Sequence, residues 1–198
     1  LALVALLVGS PWPTLSPWRT IYRLLSRLEG RPLGSREYPE SLGSWPAFVG
    51  FGLLFGVVEN ATVVPRSPRE TAVVLAVYAL AMVCGAVAFG PEWLRRADPL
   101  AVFYRLLGRV APVRLTRDNG EYALTARAPW AGCRDPLPDA SLAAFVVAVV
   151  WTLTFDGLAE TRAVTSLVAD LGPALGGRTA VLVVLYAVGL VGAVGVLV

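Results

Sequence analysis

"TAVVLAVYALAMVCGAVAF", Thr71 to Phe89, carries no charged residue. At 1.5 Å per residue, about 20 apolar residues cross the roughly 30 Å hydrocarbon core of a bilayer. Read alone, the run also suits a buried helix of a soluble domain. It is not alone. Trp45–Val64 and Thr179–Val198 are as long, and Leu142–Leu158 sits at the short limit. "LALVALLVG" at residues 1–9 reads as the tail of a truncated span. The chain has 198 residues, 56% of them hydrophobic and 16% charged. Soluble domains carry about 25% charged residues. The expected fold is therefore all-α: a polytopic transmembrane helix bundle in a cell membrane, with the lipid bilayer as its principal partner. An opening Leu and an apolar final run lead us to expect a piece of a longer polytopic protein.

All 17 basic residues are Arg, against 14 acidic ones, for a net charge of +3. Arg19, Arg23, Arg27, Arg31 and Arg36 fall in residues 10–44, and eight more fall in 90–141. The connections 65–70 and 159–178 hold the other four. Positive charge collects on the inner side of membranes, so 10–44 and 90–141 are expected to be cytoplasmic. Trp12, Trp18, Trp45 and Trp93 fall near the expected inner boundaries, where an indole keeps its N–H wet and its ring in lipid. Acidic residues interspersed among the Arg, and the lack of an aromatic lining, argue against a nucleic-acid partner.

Two basic segments echo each other. "YRLLSRL" at 22–28 returns as "YRLLGRV" at 104–110. In the first, Ile21, Leu24, Leu25 and Leu28 form one face, edged by Arg19, Arg23 and Arg27. In the second, Val102, Leu106, Leu107 and Val110 stand against Arg105 and Arg109. Such amphipathic helices, about 18–29 and 99–110, suit contact with inner-leaflet headgroups; packing on the bundle as linker helices is the alternative. The echo extends to "AFVGFGLLFGVVE" (47–59) and "AFVVAVVWTLTFD" (144–156), then to "TAVVLAVYA" (71–79) and "TAVLVVLYA" (179–187). Three matches in one order predict a parallel internal repeat. Residues 10–89 form the first unit, with spans 45–64 and 71–89. Residues 90–198 form the second, with spans 142–158 and 179–198. The second unit also carries "VRLTRDNGEYALTAR", 113–127, which reads as a cytoplasmic β-hairpin because Asn119–Gly120 can take a type I′ turn; an irregular Pro-flanked loop is the alternative. Leu115, Tyr122 and Leu124 are expected to cover the inner end of the bundle.

Glu59 and Asp156 are the only carboxylates inside expected spans, both near outer ends. They fit an external headgroup zone, or a repeat-related polar centre facing the bundle interior. In the second case Asn60 and Thr62, or Thr152 and Thr154, add oxygen ligands for a cation. Arg66, Arg69 and Arg162 are the ion-pair partners within reach. Gly50, Gly52 and Gly56, and again Gly189, Gly192 and Gly195, predict close helix approach. Cys84 and Cys133 belong to an apolar run and a polar loop, too different in depth for a disulfide. No His is present, so the usual His-based metal sites and triads have no ligands here, and no metal or cofactor is read from the residues.

At "EYPESLGSWPAFV", "FGPEWLRRADPLAVFYRLLGRVAP" and "TFDGLAET" the chain resembles a family of multi-pass membrane proteins of haloarchaea and actinobacteria. Some of its members are labelled fenitrothion hydrolase. The resemblance runs from about Tyr38 to Thr161 and implies a membrane fold; the label implies organophosphate hydrolysis but assigns no residue. Familiar organophosphate hydrolases activate water with metals held by His and carboxylates. A site elsewhere in a longer chain, a site supplied by a partner, and a label that overreaches all stay open. Three functions are carried forward: a transporter or permease-like protein rocking about Glu59 and Asp156, a membrane-bound hydrolase or a subunit of one, and a non-catalytic scaffold bound to other membrane subunits.

Overall fold

A computed structural model describes residues 1–118, 121–134 and 136–198. The chain is predominantly helical. Helices α1 (Ala2–Val8), α2 (Trp12–Leu15) and α3 (Pro17–Glu29) open it. Then come α4 (Trp45–Phe51), α5 (Pro68–Phe89), α6 (Pro91–Arg96) and α7 (Pro99–Leu107). Strands β1 (Val113–Asp118) and β2 (Glu121–Ala126) pair antiparallel, with Val113 opposite Ala126. The expected turn at Asn119–Gly120 lies outside the described residues. Helices α8 (Ala140–Ala159), α9 (Arg162–Leu175) and α10 (Arg178–Leu197) complete the order.

Among the described residues, four helices are long and apolar enough to cross a membrane: Glu40–Glu59, Pro68–Phe89, Ala140–Ala159 and Arg178–Leu197. Their large side chains lie mostly outside. Val77, Leu80, Leu153, Val188 and Val191 are all exposed. In water each such side chain would forgo about 1.5–3 kcal/mol of burial, so faces of this kind suit lipid contact. The first span differs from its expected bounds of 45–64. It begins in a 3-10 turn at Glu40–Leu42, and after Phe51 it winds as a π-helix over Gly52–Glu59. It unwinds after Ala61, where Thr62 donates to the Val58 carbonyl (2.7 Å) and accepts from the Val64 N–H (3.2 Å). Hydropathy continues through Val63 and Val64, but Pro65 has no N–H with which to extend the helix.

The chain forms two compact units, Leu1–Leu42 with Ala81–Pro138, and Gly43–Leu80 with Asp139–Val198. In the first unit both Tyr-Arg-Leu-Leu helices begin alike: Ser16 precedes Pro17, and Asp98 precedes Pro99. Proline suits the first helical position because its missing N–H would be unpaired there anyway. The caps differ. The Asp98 carboxylate accepts from the N–H groups of Leu100 (2.9 Å) and Ala101 (3.3 Å), and its other oxygen accepts from Trp12 Nε1 (2.7 Å). The Ser16 hydroxyl makes no cap bond. Tyr104 stacks on Trp12, α1 packs against α7 with its Ala5 buried, and Gly9, just after α1, lies beside Gly108, just after α7. Trp12 is therefore a core residue rather than an interfacial one. Trp93 stacks on Phe89 and fills the space over Gly85, and Trp45 is exposed. Residues 1–9 hold a helix of seven residues.

In the second unit Phe51 meets Phe145 at 5.2 Å, and Ala47, Ala144 and Ala148 let the first span and α8 approach. Gly43 (φ 45°) turns the chain so that the Ser44 N–H donates to Ser141 Oγ at 2.6 Å. Asp139 caps α8 through the Leu142 N–H (2.8 Å). Residues 162–175, expected only as a connection, form α9, capped by Thr161 and closed by Gly176 at φ 90°.

Candidate functional site

Two spans of the second unit carry polar side chains into its apolar core. The Thr152 hydroxyl of α8 and the Tyr186 hydroxyl of α10 are both buried and lie 2.8 Å apart. Trp151 Nε1 donates to the Tyr186 carbonyl at 3.1 Å, and Phe155 sets its ring edgewise on the Tyr186 ring at 5.3 Å. The third wall is the π-wound part of the first span. A Cβ at Gly56 would lie 2.0 Å from Tyr186 Cζ, so the phenol occupies the space that glycine leaves. Gly189 leaves comparable space for the Trp151 ring. The expectation of close approach thus has a structure at Gly56 and Gly189, whereas Gly192 and Gly195 face open space.

Both hydroxyls are neutral donor–acceptors, and either can donate to the other. Such hydrogen bonds between membrane helices are worth about 0.6 kcal/mol on average and at most about 1.7. This contact can hold α8 and α10 in register and still be exchanged. π-turns are uncommon and recur at functional sites. Counting at 1.5 Å per residue, Thr152 and Tyr186 lie roughly 10–12 Å from the helix ends at Ala159 and Arg178.

The acids expected at a polar centre are elsewhere. Glu59 and Asp156 are exposed on their helices, and Asn60 is half-buried. Among the described residues no ion pair joins either acid to Arg66, Arg69 or Arg162, all of which are exposed. Thr62 and Thr154 give their hydroxyl protons to carbonyls four residues back, Val58 and Val150. Glu59, Asp156 and Thr154 thus lie at the surface of their helices, while Thr152 is buried. Among the described residues no three His, Cys, Asp or Glu side chains come together. Cys84 and Cys133 are free, exposed thiols.

The Arg residues divide. Arg23 and Arg27 are exposed on α3. Arg19 is drawn inward: burial, and then the neighbouring Arg23, push its guanidinium pKa down, partly offset by Asp98. Arg105 donates to the Arg95 carbonyl (3.1 Å) and Arg109 to the Gly132 carbonyl (3.1 Å). Arg127 spans the carbonyls of Gly108, Arg109 and Ala111. A cleft of about 690 Å³ opens at the end of α5, lined in part by Tyr22, Arg36, Tyr38, Glu92 and Arg96. Its Arg96 already pairs with Glu92 and lies 5.9 Å over the Tyr38 ring. The hydrogen bond from Arg95, helped by Arg96 and opposed by partial burial, holds the Glu92 carboxyl at about 2.

Compared with protein-family models, with curated proteins and with solved structures, the chain matches none.

Proposed function

We propose that the chain is a transporter- or permease-like membrane protein whose moving contact is the meeting of the π-wound first span with the Tyr186–Thr152 pair. The observation that carries this reading is the seat of Tyr186 in the gap left by Gly56. Alternating access requires two packings of similar free energy, and an irregularly wound span beside an exchangeable hydrogen bond is where such a repacking would be centred. The parallel repeat read from the sequence supports it, on three of its paired positions. Ala47 and Ala144 are both buried, Tyr78 and Tyr186 are both buried, and Glu59 and Asp156 are both exposed. With residues 10–44 and 90–141 on the cytoplasmic face, the two acids form an outer collar that concentrates cations, and the hydroxyl pair is the constriction below them.

The test is flux in vesicles reconstituted with the protein, read as decay of an imposed proton or sodium gradient. Gly56→Ala, which drives a methyl into the Tyr186 ring, is expected to lower flux at least tenfold, and Tyr186→Phe several-fold. Wild-type flux no faster than that of empty vesicles would reject the reading.

A scaffold role is favoured by one observation, the outward aim of Glu59 and Asp156, which suits ion pairs with a neighbouring subunit. Co-purification of a basic membrane subunit that is lost in the Glu59→Gln/Asp156→Asn protein tests it. Organophosphate hydrolysis is a separate proposal resting on the family resemblance. Purified protein that fails to turn over a phosphotriester, with or without divalent metal, removes it.

A further inference from the structure

Helix α3 leaves an apolar stripe uncovered. Ile21, Leu24 and Leu28 are 39%, 57% and 77% exposed, at the three- and four-residue steps that align side chains along a helix. Arg23 and Arg27 are exposed at its edge and have no ion-pair partner among the described residues. The opposite side is anchored. Tyr22 is buried, and its hydroxyl donates to the Leu33 carbonyl at 2.6 Å. The segment leaving α3 is bound to the end of α5: the Arg36 N–H donates to the Ala88 carbonyl at 3.0 Å, and Gly34 lies against Gly90. Because α5 is one of the four membrane-length helices, α3 is tied to a span end, the depth at which headgroups lie.

We propose that α3, and not α7, is a docking surface for an anionic lipid leaflet, with Ile21, Leu24 and Leu28 entering the acyl boundary and Arg23 and Arg27 meeting lipid phosphates. The two helices share a sequence pattern but not a free face. Val102 of α7 is fully buried, and Arg105 and Arg109 are bound to carbonyls. The charge on α3 selects lipid over protein as the occupant. Three side chains also fall far short of the roughly 800 Å² a side that a stable protein interface takes.

The test places an environment-sensitive fluorophore at Leu28→Cys, where little contact is lost, in a Cys84→Ala/Cys133→Ala background. The full chain is reconstituted in nanodiscs containing bilayer-quencher lipids, with either neutral lipid or 30% phosphatidylglycerol. Quenching is expected to be stronger in anionic discs, and Arg23→Gln/Arg27→Gln is expected to remove the difference. Each Arg near an anionic surface shifts such an equilibrium about five-fold, so the pair should change the docked-to-lifted ratio by about 30-fold. Equal quenching in both lipids, no quenching in either, or quenching that persists in the Arg variant would overturn the proposal. So would quenching that appears only when discs hold two copies.

Discussion

Helices α3 and α7 share Tyr-Arg-Leu-Leu and a cap-then-proline start, yet one is covered by its own chain and the other is not. The residues around the shared motif account for the difference. The position of Thr20 in α3 corresponds to Val102 in α7, and that of Ser16 to Asp98. A valine and a carboxylate supply a packing knob and a triple acceptor, which α1 and α2 close over with Ala5 and Trp12. A threonine whose hydroxyl bonds back to the Ser16 carbonyl, and a serine that caps nothing, leave α3 attached on the Tyr22 side only. An amphipathic motif therefore specifies a helix with a stripe. What covers the stripe is set by distant partners.

The largest effect is expected at Asp98. Asp98→Ala strands the Trp12 N–H and uncaps α7, and should cost about 3 kcal/mol, while Ser16→Ala should stay within about 0.5. Thermal midpoints in mild detergent would show the asymmetry, and equal shifts would mean that the caps are equivalent. Next comes packing. Val102→Ala should cost about 2 kcal/mol and Thr20→Ala under about 0.5, measured in the same way. The smallest effect is electrostatic. Glu92 of α6, whose neighbour Arg95 lends its carbonyl to Arg105 of α7, has its pKa lowered to about 2 in the folded chain. A depressed carboxylate adds stability above its unfolded pKa near 4.5, and that stability is lost as pH falls through about 2. The thermal midpoint should thus fall between pH 5 and pH 2 by slightly more in the wild type than in Glu92→Gln. Identical slopes would remove the role assigned to this carboxylate.

How far each feature could be read from the sequence follows the range of the interaction. Spans α5, α8 and α10 lie within a few residues of their expected bounds, because length and hydropathy are local properties. The first span slipped because its π-winding and its stop at Thr62 depend on backbone hydrogen bonding that hydropathy ignores. Helix α9 went unread inside a connection, although Val164, Leu167, Leu171 and Leu175 have helical spacing. The exposure of Glu59 and Asp156 could not be read from hydropathy, because which side of a helix is left uncovered depends on what packs against it. Tyr186 was missed entirely. The signals for it were a phenol in an otherwise apolar span and the glycine at 56, two positions far apart in the chain.

Lipid contact along the exposed apolar faces of the four long helices is the central claim, and fractionation tests it most directly. After expression, alkaline carbonate washing should leave the protein in the membrane pellet, and only detergent should release it. Recovery as a monodisperse species in detergent-free supernatant would contradict the account.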